Sequence, residues 1–286
     1  SIVSPDYSFY NAGGAIQNVQ ELSLFIEKLH DSPQLMLVNL DQWWFNRAYL
    51  EENQPFSPSV YDKPEFEYSK LGRFVCDFYL DLVKGKINLM KVLSSHHIGL
   101  NAICNENGFA ADGSRYQGDM IIAPEVQEDY NFKNVLGRIR DGNARFQYGD
   151  HPDSTQIAAV DDFLSLCVAK KIKVVAFLPP FAPLVYRTMQ KTGKYGYMSQ
   201  LYSMLLPVFE KHEGCSLYDF TDVTAMGAHN YDFDDGFHGS EIIYNAMIRQ
   251  MVRQDSTIAP YFVSEQEMDR LDSVYISKNI KYHSIE

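Results

Sequence analysis

The sequence predicts an α/β protein, a three-layer α/β/α sandwich with a mainly parallel sheet, and three observations carry that expectation. Two compact apolar runs, Gln34–Leu40 (QLMLVNL) and Ile172–Leu178 (IKVVAFL), have the length and composition of strands covered on both faces. Segments with apolar residues at three- and four-residue spacing lie before, between and after them. Glycine or proline punctuates the junctions, as in chains where strands and helices alternate.

Taken in order, Tyr7–Ala12 (YSFYNA) reads as a short strand that Gly13-Gly14 break. Ile16, Val19, Leu22, Phe25, Ile26 and Leu29 then mark one buried helical face, which Ser32-Pro33 end. With the run to Leu40 this makes a βαβ unit. Past Asp41, both tryptophans stand together in Gln42-Trp43-Trp44-Phe45-Asn46, and Pro55, Pro58 and Pro64 follow in an irregular stretch. Leu71, Phe74, Val75, Phe78, Tyr79 and Leu82 form a helical stripe ending near Gly85, and a short helix is expected over 87–95. Residues 96–150 are rich in Gly, Asn and Asp, with a strand-like piece at Met120–Ile122. A span of roughly 42–150 is too long for an ordinary connection and reads as an insertion after an early strand. Alternation resumes with a helix over Thr155–Lys171, the strand to Leu178, a stop at Pro179-Pro180, and a helix over Tyr195–His212. A strand at Ser216–Phe220 and a helix at Ser240–Gln254 complete it. Residues 255–286 show no clear period and read as a C-terminal extension of a single domain, 1–286.

Composition narrows the function classes. An apolar fraction of 45% with 22% charged residues is that of a globular protein, and 286 residues can bury a substantial core. A net charge of −12 argues against non-specific nucleic-acid binding and against attraction to anionic lipid. Cys76, Cys104, Cys167 and Cys215 are widely spaced without a CxxC pair, so a zinc site is not expected; Cys167 in an expected helix and Cys215 at an expected strand start read as buried free thiols, with one disulfide as the alternative. No run reaches the ~18 apolar residues of a membrane span. The chain opens on Ser1 without a signal-peptide pattern, which reads as a processed or truncated start.

In open parallel sheets, function gathers at the carboxyl ends of the strands. Here those ends carry Gly13-Gly14, Trp43-Trp44 with Asn46, Pro179-Pro180 and the stretch YDFDDGFHGSE at Tyr231–Glu241. Within that stretch Asp235 and His238 stand three apart, just before the expected helix start at Ser240. A carboxylate that orients a histidine base is two-thirds of a hydrolytic triad. A lone D-x-x-H is weak by itself among eight histidines, and its place after the last strand is what raises it. His229, Asp232, Asp234, Asp235 and His238 also offer metal ligands, but the spacing fits no EF-hand and there is no HExxH. His96-His97 point apart on any regular element and read as structural. No G-x-S-x-G, Walker loop or G-x-G-x-x-G is present, so neither the usual nucleophile elbow nor nucleotide binding has support. Ser114, in Asp112-Gly113-Ser114-Arg115, is the internal candidate nucleophile, with a turn as its alternative.

Phe9-Tyr10-Asn11-Ala12-Gly13-Gly14 is similar to the strand-plus-Asn-x-Gly block of SGNH/GDSL-type hydrolases, and Asp235-Gly236-Phe237-His238 to their D-x-x-H block. The closer resemblance is to the subgroup acting at bacterial cell envelopes, in polysaccharide O-acetylation and teichoic-acid D-alanylation. It rests on Asn107-Gly108-Phe109, Asp112-Gly113-Ser114, Leu178-Pro179-Pro180-Phe181 and Phe233-x-Asp235-x-x-His238, and spans most of residues 7–253. The resemblance implies a flavodoxin-like sandwich, with His238 as base, Asp235 as its orienting acid, and the Gly13 amide as oxyanion donor. The strand ending at Leu40-Asp41 lacks a clean G-x-N-D, and Asn46 is the substitute donor. The family's serine block precedes its Asn-x-Gly block. Ser1 and Ser4 lack its glycine and apolar run, so the nucleophile is expected upstream of residue 1.

The expected activity is therefore that of a serine esterase or O-acyltransferase on an acylated envelope carbohydrate, with Trp43 and Trp44 stacking on sugar rings. No cofactor or metal is expected. The expected partners are the ester substrate and a membrane protein as acyl donor, the expected location extracytoplasmic. A catalytically silent carbohydrate-binding or assembly protein on the same fold is the first alternative, and a metal-dependent hydrolase using 229–238 is the second.

Overall fold

The computed structural model describes residues 2–13, 16–53, 68–94, 97–98, 102–103, 107–117, 123–127 and 129–285. Gly14, Pro55, Pro58, Pro64, His96, Cys104 and the piece expected at 120–122 lie outside them.

The fold is α/β, centred on a small parallel sheet in the order β1-β5-β6, with β1 at Leu35–Asn39, β5 at Lys173–Leu178 and β6 at Cys215–Asp219. Leu35 pairs with Lys173 and Val174 with Cys215, so all three strands end on the same edge. In the central strand β5, Val174, Val175, Ala176 and Leu178 are fully buried, which is why its sequence is a near-continuous apolar run. Helix α1 (Val19–Lys28) packs on α6 (Ser154–Ala169), α6 on β5, and α8 (Gly196–Glu210) on both α6 and β6. Asn18 caps α1 by accepting the Glu21 amide, and Asp153 caps α6 by accepting that of Thr155.

The strand expected over 7–12 does not form. Phe9 and Tyr10 have strand propensity, but residues 7–12 do not pair with the outer edge of β1, the edge strand of this sheet. The N-terminal segment instead makes a single bridge from Val3 to Phe262 and a ring contact between Tyr7 and Tyr261 at 4.7 Å. The βαβ unit thus lacks its first strand.

The long span after β1 carries α2 (Arg47–Glu52), α3 (Tyr68–Val83) and α4 (Leu89–Ser94). A second, antiparallel sheet follows, with β2 (His97–Ile98), β3 (Asn107–Ala110) and β4 (Arg115–Gln117). The span ends with a helix that the glycine-rich composition concealed, α5 (Lys133–Asp141), capped by the Asp129 carboxylate through the amides of Asn134 and Val135. Helix α7 (Pro183–Thr192) follows β5 and packs on α5. Helix α9 (Glu241–Gln254) follows the site loop and packs on α10 (Glu265–Ser277).

The C-terminal extension is thus largely helical, although its mixed sequence hid the period. Its last residues return to the core. Buried His283 accepts the Asn131 amide at Nδ1 (2.9 Å) and packs on Phe132 at 4.1 Å, and Tyr282 N–H bonds Tyr231 O. Among the described residues no helix is long and apolar enough to cross a membrane. Cys167 is buried and free, its thiol pushed up to about 12 by burial, and Cys76 and Cys215 are also free.

Candidate active site

The loop between β6 and α9 builds the site from short-range hydrogen bonds. Residues Asn230–Asp232 form one 3-10 turn, and Phe233 bridges Gly239 to close a tight ring of chain. Inside it the Asp234 amide donates to His238 O at 2.9 Å. Phe233 and Phe237 are buried and anchor the loop below, while Asn230 accepts the Leu184 amide and ties it to the start of α7. Gly236 is required by close approach: a Cβ there would stand 2.7 Å from Val135 Cγ1, and its carbonyl accepts the Ala182 amide.

That ring orients two side chains. Asp235 Oδ1 accepts the amides of Phe237 (2.9 Å) and His238 (2.8 Å), which fixes the carboxylate plane. Its Oδ2 then meets His238 Nδ1 at 2.9 Å. Among the described residues His238 Nε2 makes no hydrogen bond, and the side chain remains 56% exposed. Burial raises the Asp235 pKa, but the hydrogen bond and charge of His238 with the two amides outweigh it and hold the carboxyl below its ordinary value. For His238, burial lowers the pKa, while Asp235, and then the charges of Asp234 and Asp41, raise it above the ordinary value.

Asp41, two residues past β1, belongs to this site although sequence reasoning treated it only as a strand end. Burial pushes its pKa up to about 6, against the opposing charges of His238 and Arg145 and a 2.8 Å hydrogen bond from Asn39 Nδ2. Arg145 was missed as well. Its guanidinium carbon lies 5.4 Å from the Trp43 ring centre and 5.5 Å from that of Phe237. Phe237 in turn stands 4.6 Å from the His238 ring. Ala144 (φ 48°) and Arg145 (φ 81°) are consecutive left-handed residues, a conformation that costs a non-glycine residue on the order of 1 kcal/mol each. The signal available in the sequence was a cation, Asn143-Ala144-Arg145, immediately before the buried Phe146.

The other expected site residues are placed differently. Trp43 and Trp44 are 4% and 6% exposed, because a 3-10 turn directly after β1 folds both into the core, Trp43 edge-on to Phe237 at 5.2 Å. They are not a sugar-stacking surface. Asn46 is buried and spent: Oδ1 accepts the amides of Ala48 and Tyr49 to cap α2, and Nδ2 donates to Gln147 O at 2.8 Å and to Tyr148 O at 3.3 Å. It has no amide hydrogen left for an oxyanion. The Gly13 amide donates to Asn11 Oδ1 at 2.8 Å, and Asn11 is tied to the β3–β4 hairpin through Asp112 O. Ser114 lies in that same hairpin, its amide held by Asp112 Oδ1. Among the described residues no hydrogen bond links Gly13 or Ser114 to Asp235 or His238.

Of the five candidate metal ligands, Asp234, Asp235 and His238 bring ligand atoms within 4.8 Å of one another. His229 and Asp232 do not join them; the Asp232 carboxylate accepts the His229 amide, and the His229 ring stacks on Tyr231. Comparison of the chain with family models, curated proteins and solved structures finds no match in any of the three. The site is therefore defined by its own geometry: an oriented carboxylate–imidazole dyad at the carboxyl edge of a parallel sheet.

Proposed function

We propose that the chain is an ester-directed hydrolase or O-acyltransferase of SGNH type on a three-layer α/β/α sandwich, with His238 as general base and Asp235 orienting it. The observation that carries this reading is the 2.9 Å bond from His238 Nδ1 to a carboxylate already fixed by two amides, which leaves Nε2 as the base. No hydroxyl or thiol of a described residue hydrogen-bonds Nε2, and the serine nucleophile that an SGNH-type reaction uses is not assigned to any of them. The resemblance in sequence supports an acylated envelope carbohydrate as substrate, a membrane protein as acyl donor and an extracytoplasmic location. The charge of −12 supports the exclusion of nucleic acid.

The test is turnover of 4-nitrophenyl acetate by the full chain. His238→Ala is expected to lower kcat/KM by about 10²-fold or more. Undiminished turnover would remove the base. A serine-directed fluorophosphonate tests the nucleophile: labelling at a serine, lost in His238→Ala, is expected of an SGNH-type reaction, and intact turnover without labelling would mean that water or an acceptor hydroxyl is deprotonated directly. The proximity of Asp234, Asp235 and His238 favours a second reading, a cation held by those three. Chelation separates the two, since the dyad keeps its turnover in EDTA and a metal site loses it.

A further inference from the structure

The dyad needs a partner that its own loop does not supply. A base that drives a hydroxyl into an ester leaves negative charge on the carbonyl oxygen, and that charge must be met by fixed donors. Both donors expected from the sequence are engaged, the Gly13 amide on Asn11 and the Asn46 amide on Gln147. What stands beside the dyad is a cation. The Arg145 guanidinium carbon and the His238 ring both lie against Phe237, 5.5 Å and 4.6 Å from its ring centre. Among the described residues Arg145 makes no hydrogen bond or ion pair, and its side chain is exposed. Its backbone is nevertheless fixed, held left-handed between the Asn143 O···H–N Phe146 turn and fully buried Phe146. A strained, anchored residue that points an unpaired guanidinium over two rings is arranged for something other than packing.

We propose that Arg145 is the oxyanion-stabilising residue of this site, an inference that rests on the reading of His238 as base. As the incoming hydroxyl oxygen bonds to the ester carbonyl carbon, its proton passes to His238 Nε2. The π pair of the carbonyl moves onto its oxygen, and the guanidinium N–H groups hold the resulting oxyanion. On collapse the pair re-forms the carbonyl, the bond to the alcohol oxygen breaks, and the leaving alkoxide takes the proton back from His238.

The experiment compares Arg145→Gln, Arg145→Lys and His238→Ala in the full chain, with 4-nitrophenyl acetate as probe and thermal melts to show that each variant is folded. Arg145→Gln is expected to lower kcat by about 10²-fold with KM changed less than about threefold. Arg145→Lys should recover part of the loss, because the charge returns without the planar fork. An unchanged kcat in Arg145→Gln, with His238→Ala inactive, overturns the oxyanion role and leaves the base standing. A loss expressed in KM alone makes Arg145 a ground-state contact and overturns it too. Full turnover in His238→Ala removes the base and the inference together.

Discussion

Helices α6 and α3 are each 16 residues long, and both announce themselves in the sequence by apolar spacing, yet they end in opposite environments. In α6, Val160, Phe163, Leu164 and Cys167 are essentially inaccessible, wedged against α1, α8 and β5. In α3, Phe74 and Tyr79 on the corresponding stripe are 56% and 61% exposed, and Leu71 and Val75 are exposed with them. The difference lies in the neighbours. Helix α6 connects to β5 and is bound to lie on the sheet, whereas α3 sits in the long span between β1 and β5. An apolar stripe states that a face gains from burial, by ~25 cal/mol per Å² of apolar surface, and is silent on whether this fold covers it.

The largest expected effect that separates the two helices is a cavity in the first. Leu164→Ala should cost about 2–5 kcal/mol, because the surrounding core can relax only partly around the lost atoms. Urea unfolding measures it through the midpoint at constant slope. A cost below about 1 kcal/mol would mean that α6 is not held as described and would break the comparison from the core side. A smaller effect, about 1 kcal/mol, is expected from Asp153→Ala, which removes the carboxylate that caps α6 through Thr155.

How far such outcomes were legible in the sequence varies by element. Strands β1, β5 and β6 and helices α1, α6, α8 and α9 follow from local spacing, because each buries the face its pattern defines. The strand expected at 7–12 failed because strand formation is a property of pairs: Phe9 and Tyr10 had the propensity and no partner. Helix α10 and the docking of Tyr282 and His283 were hidden, since their contacts are long-range and their spacing mixed. The dyad could be read because Asp235 and His238 lie within one turn of chain. Asp41 and Arg145 reach the same place from the end of β1 and the turn after α5, and only the folded chain brings them there. Trp43, Trp44 and Asn46 were misplaced for a related reason: the 3-10 turn after Asp41 turns them inward.

The core side also carries a pH signature. His238, raised above its ordinary 6.5, contributes stability that is complete below that value and is lost as pH rises through the folded pKa. Asp235, lowered from 3.8, contributes stability present above 3.8 and lost on stronger acidification. The pair therefore stabilises most between those two values. His283 runs the other way on the acid side: burial lowers it to about 4, so its contribution is present above 6.5 and fades as pH falls toward 4. Melting temperatures against pH should show the alkaline decline in the wild type and not in His238→Ala, and a reduced acid decline in His283→Asn. Activity should move opposite to the His238 term, because only the neutral imidazole acts as base. The acid limb of kcat/KM is expected above pH 6.5, and a limb well below it would contradict the hydrogen bond to Asp235.

The smallest effect belongs to α3 and is the sharpest test of the comparison. Phe74→Ala removes as large an apolar side chain as any in α6, and in a core it would cost about 3–5 kcal/mol. At 56% exposure it packs little in the folded chain, and alanine has the higher helix propensity, so the two small terms oppose each other. The expected change in unfolding free energy is within about 0.5 kcal/mol. A cost approaching that of Leu164→Ala would show that something covers the α3 stripe when the chain folds in solution, and the contrast between the two helices would then be one of partner and not of environment.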